Sequence, residues 1–199
     1  GEREIYKAVN LKFSHAVESV KGDLDGVTFG QVYLQDINLD NADLRRTNLV
    51  NSNLSRSSLR EANLVFAKLN GANFQEANFQ NAVLFQADFS DALLRGTIFY
   101  GANLSAAILT GADLRGSSLE GVRGISCAQI KSALIDKDTR FPDYIAIEES
   151  SKPIFKCINL LKVKGMNLSG MNLSQAYLRG LQSRYVNFSE ANLNGANLQ

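Results

Sequence analysis

Few side chains in this chain have the chemistry to act on a substrate. There is one histidine, His15, and there are two cysteines, Cys127 and Cys157. Nucleophilic catalysis needs a base held within hydrogen-bond reach of its nucleophile. His15 lies in an N-terminal segment with no partner of that kind beside it in the sequence. A zinc site needs Cys and His ligands at characteristic short spacings, and two cysteines thirty residues apart do not offer them. Cys127 falls at the start of an expected helix, where the terminal field lowers a thiol pKa. That placement fits a reactive thiol. A Cys127–Cys157 disulfide is a further alternative and would imply an oxidising compartment, but two buried structural thiols are preferred, since free Cys commonly fills small apolar sites. No catalytic, cofactor-binding or metal-binding residue is nominated, and no small-molecule substrate is expected.

Asp and Asn are abundant but strictly spaced, at Asp43, Asn48, Asn53, Asn63, Asn73, Asn78, Asp88, Asn103 and Asp113. That regularity belongs to an array over residues 22–122. Leu or Phe stands at every fifth position from Leu24 to Leu119, twenty times without a miss. Call that position i. Position i−2 is small or β-branched (Val27, Ile37, Ala42, Thr47, Ser52, Ala62), and i−1 is mostly Asn or Asp. A helix repeats near 3.6 and a strand at 2, so period five is neither alone. In a short extended segment i−2 and i point to one face and i−1 to the other. The pair i+1 and i+2 must then turn the chain. Glycine at i+2 (Gly71, Gly96, Gly101, Gly111, Gly116, Gly121) suits the positive φ of a tight turn, and Asn or Asp comes next. If each corner turns about a right angle, four units close a square and residue n stacks on residue n+20. Coils spaced like the strands of a sheet, roughly 4.8 Å apart, make five of them roughly 24 Å long.

The A-(D/N)-L-x-x array resembles the pentapeptide-repeat proteins of bacteria and cyanobacteria, over residues 22–122 and again from about 161 to 199. The resemblance implies an all-β solenoid, a right-handed quadrilateral β-helix. It implies little about function, because the family includes gyrase-protecting DNA mimics, cyanobacterial developmental proteins, thylakoid-lumen proteins and secreted effectors.

Residues 1–21 are read as an N-terminal cap. Ile5, Val9, Phe13, Ala16 and Val20 fall at helical spacing, while Val9-Leu11-Phe13 also alternates as a strand would. Solenoids need such caps because their ends expose core and unpaired backbone. After Val122 the array breaks. Ser126 and Gln129 form a capping box, and Ile125 with Ile130 a hydrophobic staple. Together they predict a short helix over 127–135, followed by a turn-rich loop through Pro142. The segment 123–160 is expected to bulge out as an inserted helix and loop, resembling those that interrupt other arrays of the family. No element is assigned to 144–160. The period returns at Val163, Leu168, Leu173, Leu178, Phe188, Leu193 and Leu198, with Ser183 the one failed position. About two further coils are expected over 161–199, on the same rod.

The charge is balanced, 21 basic against 20 acidic residues. It lacks the basic footprint of a nucleic-acid binder and departs from the acidic surface of the gyrase-protecting branch. No run of 18 apolar residues spans a membrane and no secretory signal pattern is present. A cytoplasmic location is expected. Because the chain begins at Gly1 and reads as trimmed, the thylakoid lumen and periplasm are the alternatives. The chain stops at Gln199 on a well-formed repeat, which suggests a cut within a longer protein or an open coil end packed on a second copy.

Stacking every twenty residues brings one set of exceptions together. Arg45, Val65 and Phe85 align at i+1, Arg46, Phe66 and Gln86 at i+2, and Val83 joins from i−1. Val65, Phe66, Val83 and Phe85 should make an exposed apolar patch with Arg45 and Arg46 at its edge, a composition common at protein interfaces. The alternative is that the N-terminal segment or the insertion folds over it. The functional expectation is a non-enzymatic scaffold or interaction module offering flat faces and a protruding insertion to a protein partner. The alternative is a DNA mimic that binds a topoisomerase, as in the quinolone-resistance branch; a thiol-dependent enzyme would need Cys127 free.

Overall fold

The computed structural model describes residues 2–143, 145–148, 156–159 and 189. They fall into two compact units, Gly1–Arg140 and Phe141–Gln199. In the first unit a helix, α1 (Glu2–Ser19), and a short 3-10 turn (Lys21–Asp23) lead into the coil.

The coil returns on itself every twenty residues. Sixteen successive parallel bridges, from Thr28↔Asn48 to Asn103↔Arg123, join residues twenty apart, and each is centred on position i−1. Two hydrogen bonds build each rung, as when Leu44 N–H donates to Asn63 C=O (2.8 Å) and Asn63 N–H donates to Ala42 C=O (2.9 Å). The corners are β-turns closed by the i+3 N–H on the carbonyl of i, for example Ala62 N–H to Leu59 C=O at 3.3 Å. All twenty i+2 residues from Gly26 to Gly121 have positive φ, thirteen of them not glycine. That is the signature of a type II turn. The backbone therefore demands a left-handed residue at every corner, whatever side chain stands there.

The outward i−1 residues do more than face water. The Oδ1 atoms of Asn48, Asn53, Asn63, Asn73, Asn78 and Asn103 each accept the N–H of the residue two further on, at 2.9–3.2 Å. This Asx turn satisfies a corner N–H that the ladder leaves over. Inside, Leu44, Leu64, Leu84 and Leu104 are buried in one column. Phe79 and Phe99 stack face to face with centroids 5.3 Å apart. Hydroxyls at i−2 keep their bonds in the core: Thr47, Ser57 and Ser117 donate to the carbonyls of Leu44, Leu54 and Leu114 at 2.6–2.7 Å.

At the start of the coil the expected cap is helical. Its orientation differs from the expected stripe, since Phe13, Ala16 and Val20 are exposed and Val17 is the buried contact. The reason is the anchoring of the last helical turn. Glu18 Oε1 accepts Asn38 N–H at 2.8 Å, and Lys21 Nζ donates to Asn38 Oδ1 at 3.1 Å and, more loosely, to its C=O at 3.5 Å. Those bonds rotate Val17 inward. Ile5 and Val9 have side chains outside those described.

The expected protruding insertion does not leave the coil over residues 123–140. The capping box forms as read, and the helix α2 covers Cys127–Ser132 with Ile130 buried. It stops before 135 because the next residues rejoin the ladder, with Leu134 bridging Asp113 and Arg140 bridging Ser118. The repeat length grows from 20 to 21 and then 22 residues. One residue is absorbed at α2 and one at the Asp136 turn. In the second unit, β1 (Ile145–Glu148) and β2 (Lys156–Asn159) pair antiparallel, where no element was expected. The repeat expected over 161–199 lies outside the described residues, apart from Ser189.

Candidate protein interface

The patch sits on one corner column of the first unit. Arg46 N–H donates to Val65 C=O (2.9 Å), Phe66 N–H to Phe85 C=O (3.1 Å) and Gln86 N–H to Ser105 C=O (3.1 Å). Three successive corners are thus stacked. Phe66 is 51 % exposed and Phe85 37 %. Their rings meet edge to face with centroids 6.1 Å apart, a favourable aromatic geometry. Val65 and Val83 are half-buried beside them. Within the first unit neither α1 nor α2 covers the two rings.

Two backbone features mark this corner. Phe66 holds φ at +60°, where a bulky L residue costs roughly 1–2 kcal/mol. The left-handed slot is shared by every corner and holds Gln86 or Arg46 one coil higher or lower, but Phe66 is the one aromatic residue in it. Val83 also stands where Asn would supply an Asx acceptor. Val65 N–H is bonded to Asn63 Oδ1 at 3.2 Å, but Phe85 N–H has no acceptor among the described residues.

The two arginines at the edge are already occupied. Arg45 grips Asp43 through Nε (2.7 Å) and Nη2 (2.6 Å). Arg46 takes Asp25 through Nε at 3.0 Å and through Nη2. The Arg45 fork holds the Asp43 carboxyl below its ordinary pKa, against the opposing effect of desolvation. Two guanidiniums face two carboxylates, so the edge carries no excess charge. Asp25 lies twenty residues below Arg45, so the same modulo-20 stacking contains this pairing.

Within the first unit, His15 and Cys127 stand on α1 and α2, away from the patch. His15 is exposed beside a groove of about 370 Å³ that is also lined by Glu18, Tyr33 and Asp36. Cys127 is the first residue of α2 and is disulfide-bonded, not the free thiol preferred from the sequence. Cys157 is on β2, opposite Ile147. Among the described residues no group of three or more His, Cys, Asp or Glu is placed to hold a metal. Among them too, no helix is long and apolar enough to cross a membrane.

A second cluster escaped the sequence reading. Asp113, nearly buried, accepts Arg115 Nε and Nη2 (2.8 Å each) and Arg95 Nε (2.6 Å). The Arg115 fork, helped by Arg95 and opposed by burial, drives its pKa far below the ordinary carboxylate value. Residues 95 and 115 are twenty apart, so one column places both guanidiniums. This cluster binds coil to coil and leaves its carboxylate fully engaged.

With the coil in view, comparison with known proteins is direct. The family model described as pentapeptide repeats matches residues 23–60, 57–99, 87–123 and 163–199, more than half of the chain. The chain belongs to the pentapeptide-repeat family. Its fold class is the right-handed quadrilateral β-helix of that family. Among solved structures it is similar to Rfr23, a pentapeptide-repeat protein of the cyanobacterium Cyanothece 51142. Identity is 26 %, over 66 % of this chain and 99 % of that one, with a TM-score of 0.42. HetL, a pentapeptide-repeat protein of Nostoc sp. strain PCC 7120 involved in heterocyst differentiation regulation, is 22 % identical over 93 % of this chain and 92 % of its own, with a TM-score of 0.28. QnrB1, a plasmid-mediated fluoroquinolone resistance protein, is 17 % identical over 89 % and 80 %, with a TM-score of 0.32. No curated protein matches the chain.

Proposed function

We propose that this pentapeptide-repeat protein is a non-enzymatic interaction module, and that the corner of Val65, Phe66, Val83 and Phe85 docks a protein partner. One observation carries the reading. Phe66 and Phe85 are exposed aromatic rings on adjacent coils of one corner, meeting edge to face with centroids 6.1 Å apart. The unpartnered Phe85 N–H offers a hydrogen bond beside two aromatic anchors, and Tyr, Trp and Phe anchors dominate binding energies at interfaces. Arg45 and Arg46 act as a neutral rim, their charges balanced by Asp43 and Asp25. The partner surface should accordingly be apolar rather than strongly acidic. Balanced charge gives no support to topoisomerase binding through DNA mimicry.

The test is paired capture from the native host with wild type and a Phe66→Asn, Phe85→Gln double variant. Asn suits the left-handed corner, so the variant should keep its fold by circular dichroism and melt within a few degrees of wild type. A partner held by wild type and lost by the variant is the expected result. An unchanged set of partners, with the fold intact, would remove this corner from the interface.

A further inference from the structure

The lower edge of the first coil is closed on only part of its perimeter. Asp43 N–H reaches Lys21 C=O at 2.9 Å, and Asn38 is served by Glu18 and Lys21. Thr28 is different. Neither its N–H nor its C=O has a partner among the described residues, whereas Asn48 directly above makes both ladder bonds of its rung, N–H to Val27 C=O and C=O to Phe29 N–H. Val27 and Phe29, which point to the interior, are only half-buried, while Leu49 and Leu69 on the same column are fully buried. Beside this rung an open groove of about 850 Å³ runs between α1 and the coil, lined by Ala16, Val17, Val20, Leu24, Val27 and Phe29.

An unpaired rung beside an apolar groove matches one kind of occupant. Free main-chain donors and acceptors in an extended segment are met by another extended segment, and the apolar groove leaves room for a side chain from it. A helix could not meet the edge, because its own N–H and C=O groups are already paired. We propose that the Thr28 rung captures an extended peptide by β-augmentation, with a Leu or Phe of the peptide entering the groove. The peptide would repeat below Thr28 what Thr47 C=O and Leu49 N–H supply below Lys68. Specificity then comes from one apolar residue with small or polar neighbours. This site is separate from the Phe66 corner and does not depend on it.

The test titrates the full chain, labelled with nitrogen-15, with an acetylated and amidated peptide copying residues 42–51. Saturable shifts centred on Thr28, Phe29 and Gly30 are expected, with slower hydrogen exchange at the Thr28 amide. Ala16→Trp, which fills the groove from an exposed position, should abolish them. Val20→Trp serves the same purpose if Ala16→Trp fails to fold. A peptide N-methylated at its Leu49 should also fail, because it keeps the side chain but lacks the donor to Thr28 C=O. No saturable shift at millimolar peptide would overturn the proposal, as would equal binding to the groove-filled variant. A concentration-dependent dimer in sedimentation, lost on filling the groove, would overturn it by giving the groove to a second copy.

Discussion

The two irregular regions of the first unit, the turn out of α1 and the turn through α2, meet the same problem with opposite chemistry. A parallel ladder leaves each coil with unmet groups on both sides. Below the first full coil, Asn38 N–H lacks a carbonyl and its C=O lacks an amide. Glu18 and Lys21 stand in for the two. Above the last regular coil, Ala107 C=O lacks the N–H that residue 128 would bring. The Gln129 side-chain amide supplies it at 2.8 Å and serves Leu104 C=O at 2.9 Å. Gly116 N–H likewise takes Asp136 Oδ1 at 2.9 Å in place of a backbone carbonyl. The lower imitation uses two charged side chains whose bonds to the exposed Asn38 water can replace. The upper one uses a half-buried neutral amide that also closes the α2 capping box. The same geometric task should therefore be worth little below and much above.

The sharpest contrast is between two glycines with nearly the same backbone. Gly124 has φ +75°, and a Cβ there would lie 1.9 Å from Ser105 Oγ and 2.9 Å from Ser105 Cα. Gly26 has φ +71° with nothing within 4 Å. Gly124→Ala should cost about 3–4 kcal/mol, from left-handed strain and overpacking together. Gly26→Ala should cost about 1 kcal/mol from strain alone. Urea midpoints of both variants check the pair, and equal losses would break the comparison.

Next comes Gln129. Gln129→Ala strands the Ala107 carbonyl and the N-cap and takes one of two donors from Leu104 C=O, for an expected loss of about 2–3 kcal/mol. Gln129→Glu keeps the acceptor for Ser126 N–H but turns an anion towards the carbonyls of Leu104 and Ala107. It should recover none of that loss in thermal unfolding. A variant as stable as wild type would show that α2 is held by packing of Ile130 alone.

Acid should act on the upper turns. Asp113 is held low first by the Arg115 fork. Asp136 is also lowered: burial pushes it up, and hydrogen bonds from the Gly116, Asp138 and Thr139 N–H groups and the Thr139 hydroxyl outweigh that. Both folded pKa values lie below the unfolded one, so the folded state binds fewer protons. Their stabilisation is complete above the ordinary value of 3.8 and is lost as pH falls below it. Asp113→Asn should flatten the fall of the unfolding midpoint across that window. An unchanged acid limb would mean that other carboxylates control it.

The coil was legible because every interior position repeats: Leu24 to Leu119 set the period, and the modulo-20 stacking gave the bridges and the Phe66–Phe85 juxtaposition. The capping box at Ser126 and Gln129 was legible for the same local reason. The course of the chain after it was not. Gln129 reaches carbonyls 22 and 25 residues away, and Glu18 an amide 20 residues away. Each is a single event with no periodicity to announce it. Once Gln129 replaces the missing rung donor, the helix need not leave the coil. The inward turn of Val17 was hidden in the same way, because an anchor on Asn38 and not the apolar stripe rotates α1.

The smallest expected effect completes the contrast at the lower end. Glu18→Ala removes one acceptor from an exposed amide, at a cost of about 1 kcal/mol or less. Glu18→Gln keeps an oxygen that can accept Asn38 N–H and should change stability by under about 0.5 kcal/mol, because an exposed charge adds little. Bulk unfolding will hardly separate these variants. Hydrogen exchange at the Asn38 amide will, since it reports that bond alone. Exchange should quicken in Glu18→Ala and stay near wild type in Glu18→Gln. If both variants exchange faster, the carboxylate charge and its neighbour Lys21 hold the helix, and the lower end is an ionic clasp. If neither does, Val17 alone keeps α1 in place.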